Sequence, residues 1–405
     1  MESLLARLEQ QFLQKVYRVS MIDTLQLPRK FEEFGEARRS GFLKAKELKE
    51  KGGRLAGIFC TFTPVEIFDA AGIVPVSLCG TSEETIPDAE IDLPKNLCSL
   101  IKSSYGFAVS DKCPYTYFSD IIVGETTCDG KKKMYELLAE LKDTYILHLP
   151  QGIDRPYALD MWESEIRLLK EKFEKKFGIT ITDDDVRAAC VRRNKERALK
   201  IKMFELNKSN PAKTYYSNIH KVVDSLNFSF DLDKTMADIE EVYSGIEENF
   251  RKNGSEVKNT DKRIMITGCP ISGVFDKTIG LIEKNGGVVV IMDNCSGIKS
   301  AKNMVDENDP NIYRAIAKRY LDIGCAVMTP NTNRMNQICE LVDEYKVDGI
   351  IDIVLQSCHP FSVERHSVKK LADELKVPYM SVETDYSQTD IGQLITRFQA
   401  FIEMI

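Results

Sequence analysis

One rhythm occurs twice in this chain and limits its fold more than any other feature. After Gly52 and Gly53, LAGIFCTF reads as a strand, PVEIFDAAG as a short helix opened by proline, IVPVSLC as a strand and KNLCSLIKSSYGFAV as a helix. FSDIIVG, with the apolar run from Tyr117 to Val123, then reads as a strand, KKKMYELLAELK as a helix and TYILHLP as a strand. The alternation resumes at KRIMITGC and continues through VVVIMDNC, CAVMTP, DGIIDIVLQSC and PYMSVETD as strands with helical segments between them. Strands joined by helices need crossovers, which give a parallel sheet covered on both faces. The expectation is therefore an α/β protein with two doubly wound, Rossmann- or flavodoxin-like parallel sheets.

The flanking segments complete a four-part division. Residues 1–54 are helical in pattern and end in the charged KAKELKEKGGR, residues 55–154 form the first α/β domain, and residues 261–405 form the second. Between them, residues 155–260 carry no strand pattern. MWESEIRLLKEKFEKKFG, DDDVRAACVRRNKERALKIKMFELN and TMADIEEVYSGIEENFRKNG are amphipathic or polar helices, read as solvated scaffold that packs the domains together, with a partner-docking surface as the alternative.

Composition excludes several function classes. A chain with 43% hydrophobic and 29% charged residues is globular, and a net charge of -7 without a basic arm argues against nucleic acid as a partner. Acidic and basic residues alternate at helical spacing in MESLLARLEQQFLQKV, without the apolar core of a secretory signal, so a cytoplasmic protein is expected. Apolar runs such as Val288 to Met292 fall far short of the ~20 residues that span a bilayer, so no membrane partner is expected.

Eleven cysteines with no CxxC pair do not form a zinc ribbon, a thioredoxin motif or a bacterial ferredoxin. Any metal site must be assembled from distant loops. Ligands of open parallel sheets bind beyond the carboxyl ends of the strands, and several cysteines fall there: Cys60, Cys98 and Cys128 in the first half, Cys269, Cys295, Cys325 and Cys358 in the second. Thirty positions separate Cys98 from Cys128, and thirty separate Cys295 from Cys325, as though two related domains presented thiols to one cleft. GETTCDGKKKMYE places Cys128 where a strand gives way to a helix, whose positive N-terminus is expected to lower the thiol pKa. Gly130 allows close approach there, and Lys131 to Lys133 add positive charge. A buried small hydrophobe is the plainer reading of any one such cysteine. Six or more converging thiols, with only four histidines in the chain, fit an iron–sulfur cluster better than a four-ligand zinc site.

Other catalytic patterns are missing. There is no GxxxxGK[ST], GxSxG or HExxH, and the glycines of GCPISG are wrongly spaced for a dinucleotide site. His359, beside Cys358, is a candidate proton donor or ligand; Glu383, in VETDYSQTDIGQ, could hold a proton or a substrate, against the plainer reading of that segment as a solvated loop capping a helix.

PVEIFDAAGIVPVSLC, LPKNLCSLIKSSYGFA, DIIVGETTCDGKKKMYE, CAVMTPNTNRMNQICELVDEYKVDGIIDIVLQSCHPFSVE and VPYMSVETDYSQTDIGQLITRFQAFIEM together resemble the 2-hydroxyacyl-CoA dehydratase and benzoyl-CoA reductase family. Within it the chain looks most like the homodimeric double-cubane cluster proteins. That resemblance implies an iron–sulfur reductase of a small unsaturated substrate, holding a double cubane, [8Fe-9S], and receiving electrons from a separate ATP-hydrolysing [4Fe-4S] activator protein. Cys98, Cys128 and Cys358 match the family's common pattern. Cys60, Cys295 and Cys325 complete the expected six ligands, with Cys269 and Cys113 as reserves and Cys79, Cys190 and Cys339 as structural residues. The alternatives are a 2-hydroxyacyl-CoA dehydratase subunit with one [4Fe-4S] cluster, and a non-enzymatic iron–sulfur or zinc binding protein.

Overall fold

The computed structural model describes residues 25–405; the expectation for the first helical residues lies outside that range. Helix α1 (Glu36–Glu50) precedes a first unit of β1 (Arg54–Ile58), α2 (Val65–Ala70), β2 (Ile73–Ser77), α3 (Ile86–Ala89), α4 (Ser99–Val109), α5 (Pro114–Phe118), β3 (Ile121–Glu125), α6 (Asp129–Leu138) and β4 (Thr144–Leu147). Four helices follow: α7 (Ala158–Phe177), α8 (Asp183–Glu205), α9 (Tyr216–Asp224) and α10 (Leu232–Asn253). The second unit runs β5 (Lys262–Gly268), α11 (Phe275–Lys284), β6 (Gly287–Asp293), α12 (Ile312–Leu321), α13 (Thr332–Glu344), β7 (Gly349–Leu355), α14 (His359–Leu375), β8 (Tyr379–Thr384) and α15 (Ile391–Met404).

Each unit forms a four-stranded sheet with every strand parallel, in the order β2-β1-β3-β4 and β6-β5-β7-β8. The two sheets share one topology, with the first strand between the second and third. All residues of β3, β6 and β7 are buried, because helices cover both faces of a parallel sheet and leave no side for polar residues to reach water. Strand β4, at an edge, is buried only at Leu147.

Two segments differ from their sequence patterns. Tyr117 and Phe118 end helix α5 rather than begin β3, because Pro114 at its first position favours a helix and Cys113 caps it by accepting a hydrogen bond from the Thr116 N–H at 3.4 Å. CAVMTP is a turn, closed by the Met328 N–H donating to the Cys325 carbonyl at 2.8 Å, and not a strand.

The helical section binds the units together, as its pattern indicates, but α8 is not solvated. Arg193, Glu196, Arg197 and Lys200 on it are buried, because their charges pair among themselves and with Glu66 and Asp69 of α2. Its start follows local rules, with Thr182 and Asp185 forming a reciprocal capping box. Among the described residues no helix is long and apolar enough to cross a membrane.

Candidate metal centre

The carboxyl ends of both sheets face one cavity of about 270 Å³. Cys60, Cys79, Cys98 and Cys128 line it from the first unit, and Cys269, Cys295, Cys325 and Cys358 from the second. Topology accounts for this. Cys60 and Cys269 follow the first strands β1 and β5, Cys79 and Cys295 follow the second strands β2 and β6, and Cys128 and Cys358 follow the third strands β3 and β7 as N-caps of α6 and α14. Cys98 caps α4, between β2 and β3, and Cys325 lies between β6 and β7. The thirty-residue spacing in the sequence pairs positions that are not equivalent in the fold. The repeat is instead four thiols per unit, Cys60, Cys79, Cys98 and Cys128, matched in order by Cys269, Cys295, Cys325 and Cys358, with three of each set at strand ends.

Neighbouring thiols influence one another in two groups, to which Cys79 adds through Cys295 and Cys269 through Cys358. Cys98 feels Cys358 and Cys128, while Cys60 feels Cys295 and Cys325. Each group draws on both units, and the Thr61 hydroxyl donates to the Cys295 thiol across the junction at 3.3 Å. The two remaining thiols are engaged with backbone. Cys79 donates to the Phe59 carbonyl at 3.3 Å; Cys269 accepts from the Leu355 N–H at 3.0 Å and donates to the Ile353 carbonyl at 3.5 Å. Gly268, at φ 116°, brings β5 this close, since a Cβ there would collide with the Ile353 carbonyl.

At Cys98, the N-cap of α4, burial outweighs the helix N-terminus. Burial pushes Cys98 up to about 12, although the Ile101 and Leu100 N–H groups pull the other way. Cys60 and Cys325 are likewise raised by burial, and Cys358 first by its hydrogen bond with Cys269 and then by burial. At Cys60, Cys98 and Cys325 desolvation is the largest influence, so there the thiolate is the state a bound metal would impose rather than one the fold supplies.

Charge at the cavity is provided by buried lysines. Of Lys131 to Lys133 only Lys131 turns inward, where it donates to the Phe59 carbonyl at 3.1 Å; Lys132 and Lys133 pair with Asp129 and Glu136 at 2.8 and 2.6 Å. Near it, Glu125 is fully buried, accepts a hydrogen bond from Thr63 and is pushed up to about 7 by burial. Lys299, from the second unit, lies close enough to Cys325 to lower its pKa, and its Nζ has no hydrogen-bond partner among the described residues. Sequence reasoning passed over Lys299, which follows Cys295 by four residues. It also read the segment after β8 as solvated, whereas Tyr386 is buried beside Cys79, Cys98 and Cys269 and donates to the Gly80 carbonyl at 2.9 Å.

Beyond the thiols the same cavity is lined by Arg193, Glu196, Arg197, Lys200, Arg319 and Tyr320. Arg193 holds Asp69 through two bonds of 2.8 and 2.6 Å, Lys200 pairs with Glu196 at 2.6 Å, and Arg197 pairs with Glu66. Tyr320 donates to Glu66 at 2.9 Å.

Other candidates fall elsewhere. Cys113 caps α5 and does not line the cavity; Cys190 is buried in α8, and Cys339 lies on α13. His359 is exposed, and Glu383 sits within β8, exposed, 3.8 Å from Arg365. Neither lines the cavity.

The donor set suits a soft-metal cluster: the thiols ring a cavity, and two buried lysines oppose the negative charge such a group would bring. Among the described residues no three His, Cys, Asp or Glu donors are grouped as they would be around one ion.

A two-lobed parallel-sheet protein with strand-end thiols around an interlobe cavity is the class that fold and site define. The chain belongs to the 2-hydroxyglutaryl-CoA dehydratase, D-component family, whose family model matches residues 60–405. It is 45% identical over 382 residues to the candidate dehydratase subunit YjiM of Escherichia coli (strain K12), covering 94% of this chain and 98% of that one. Similarity extends to the (R)-phenyllactyl-CoA dehydratase beta subunit of Clostridium sporogenes, 23% identical with 89% and 94% covered. A benzoyl-CoA reductase subunit of Thauera aromatica is 21% identical, with 84% and 88% covered.

Proposed function

We propose that this chain is an iron–sulfur reductase that accepts low-potential electrons from a separate ATP-hydrolysing activator and reduces a small unsaturated substrate. The observation that carries the reading is the convergence of six thiols from both units, Cys98, Cys128 and Cys358 with Cys60, Cys295 and Cys325, on one cavity. Taken as two trios, they suit two linked cubanes. Bound there, a double cubane would supply electrons at low potential.

The chain's own residues hold and shield such a group. Strand ends fix Cys60, Cys128, Cys295 and Cys358 at rigid elements, Phe361 lines the cavity, Tyr386 is buried beside its thiols, and Lys131 and Lys299 oppose negative charge in a medium where each is worth more than in water. Asn227 and Phe228, exposed and lining the cavity, mark an opening through which a small molecule enters. Homodimerisation and a cytoplasmic location belong to the same proposal.

A second reading, a 2-hydroxyacyl-CoA dehydratase subunit with one [4Fe-4S] cluster, is favoured by the dehydratase names of several relatives. The test is ATP turnover by the activator with and without this chain under reducing, anaerobic conditions. The reductase reading expects electron consumption that needs both proteins and a small unsaturated acceptor. Consumption only with a 2-hydroxyacyl-CoA thioester supports the second reading, and ATP turnover indifferent to this chain contradicts both.

A further inference from the structure

The buried charges that α8 and α12 bring to the cavity do not balance. Three carboxylates, Glu66, Asp69 and Glu196, are matched by three paired cations on α8. Arg192 also approaches Asp69, at 3.5 Å, but is only partly buried and pairs with Asp233 at 2.9 Å. That leaves Arg319 of α12. It is 4% exposed, donates from Nε to the Asn303 carbonyl at 3.2 Å and from Nη2 to the Ser300 carbonyl at 2.8 Å, and has no carboxylate within ion-pair distance among the described residues. Glu66 and Glu196 act on it from further off, yet both are already paired, and a buried guanidinium without an ion pair of its own is costly unless a ligand supplies one.

From these observations we infer that Arg319 is the recognition group for the anionic end of a small substrate, such as a carboxylate, whose other end then lies toward the thiols. The inference rests on the reductase reading and names its substrate class. Its basis is the placement of an unmatched cation and the thiols in one cavity. Tyr320 stands beside it, with the Arg319 guanidinium 4.4 Å from its ring centroid. Burial and the nearby Arg197 pull the Arg319 pKa down to about 10, while Tyr320, Glu66 and Glu196 pull it the other way. Guanidinium suits the task because its planar fork meets a carboxylate through two parallel hydrogen bonds.

Calorimetry on the anaerobically purified protein, with acetate and crotonate against their neutral isosteres acetamide and crotonamide, tests this. The expected result is binding of each carboxylate at least tenfold tighter than its amide, with the preference lost in Arg319→Met at unchanged iron content and partly kept in Arg319→Lys. Equal binding of acid and amide by the unsubstituted protein overturns the inference, whatever the variants do. So does an undiminished preference in a folded Arg319→Met. Iron is assayed in the same samples, so protein without iron that still prefers carboxylates refutes the reductase reading and leaves the Arg319 site standing.

Discussion

The two lobes carry the same strand order and four equivalent thiols each, yet they set aside different ones. In the first lobe the thiol after the second strand, Cys79, is turned to the backbone, and Cys60, Cys98 and Cys128 remain. In the second it is the thiol after the first strand, Cys269, that is held by backbone groups, and Cys295, Cys325 and Cys358 remain. The lobes also differ in how they deliver the third member. Cys98 caps a helix, whereas Cys325 lies in a turn after α12. Strand ends are therefore what the two lobes share, because sheet topology fixes them, while the connections between strands are free to differ.

The comparison can be broken most sharply at equivalent positions. Cys128→Ser and Cys358→Ser should each reduce bound iron by at least half in anaerobically reconstituted protein, read by metal analysis and absorption spectrum. Full iron in either variant would show that the lobes do not both serve the site. The junction between lobes comes next. Glu66→Gln leaves Arg197 buried beside a neutral partner, and removing one member of such a pair costs about 3–5 kcal/mol, so thermal unfolding should shift markedly downward. An unchanged midpoint would mean that this network does not hold the lobes together.

Lys131→Met and Lys299→Met sharpen the comparison from the side of charge. Both should move the reduction potential of any bound cluster to more negative values, because each removes a buried positive charge beside the thiols. A redox titration in which only one lobe's lysine matters would locate the electron on that side. The smallest effects belong to the thiols set aside. Cys79→Ala and Cys269→Ala should keep full iron and cost about 1–2 kcal/mol of stability, in the ordinary range for a buried substitution. Loss of iron in either would move that residue into the ligand set.

Much of this was legible beforehand for physical reasons. Short continuous apolar runs alternating with period-3.6 segments indicated the two sheets and the helices between them, since every residue of β3, β6 and β7 had to be apolar enough for burial or paired. Cys60, Cys128, Cys295 and Cys358 could be named as candidates because they follow strands, and Cys98, Cys128 and Cys358 because they match a family pattern. Cys79 was passed over because IVPVSLC reads as an apolar strand through the cysteine, while the strand stops at Ser77 and turns the thiol inward. Arg319 was hidden because α12 shows the same mixture of basic and apolar residues as an exposed helix, and only the packing of α8 and α12 against the cavity buries it. The charged face of α8 misled for the same reason: pairing partners distant in sequence are invisible to a local charge pattern.

Iron and acid-labile sulfide per chain, measured on anaerobically purified protein alongside its electron paramagnetic resonance spectrum, test the two-trio centre most directly. About eight irons per chain is the result predicted for two linked cubanes held by six cysteines. About four would contradict the double centre, and protein that stays free of iron after anaerobic reconstitution would contradict the cluster itself.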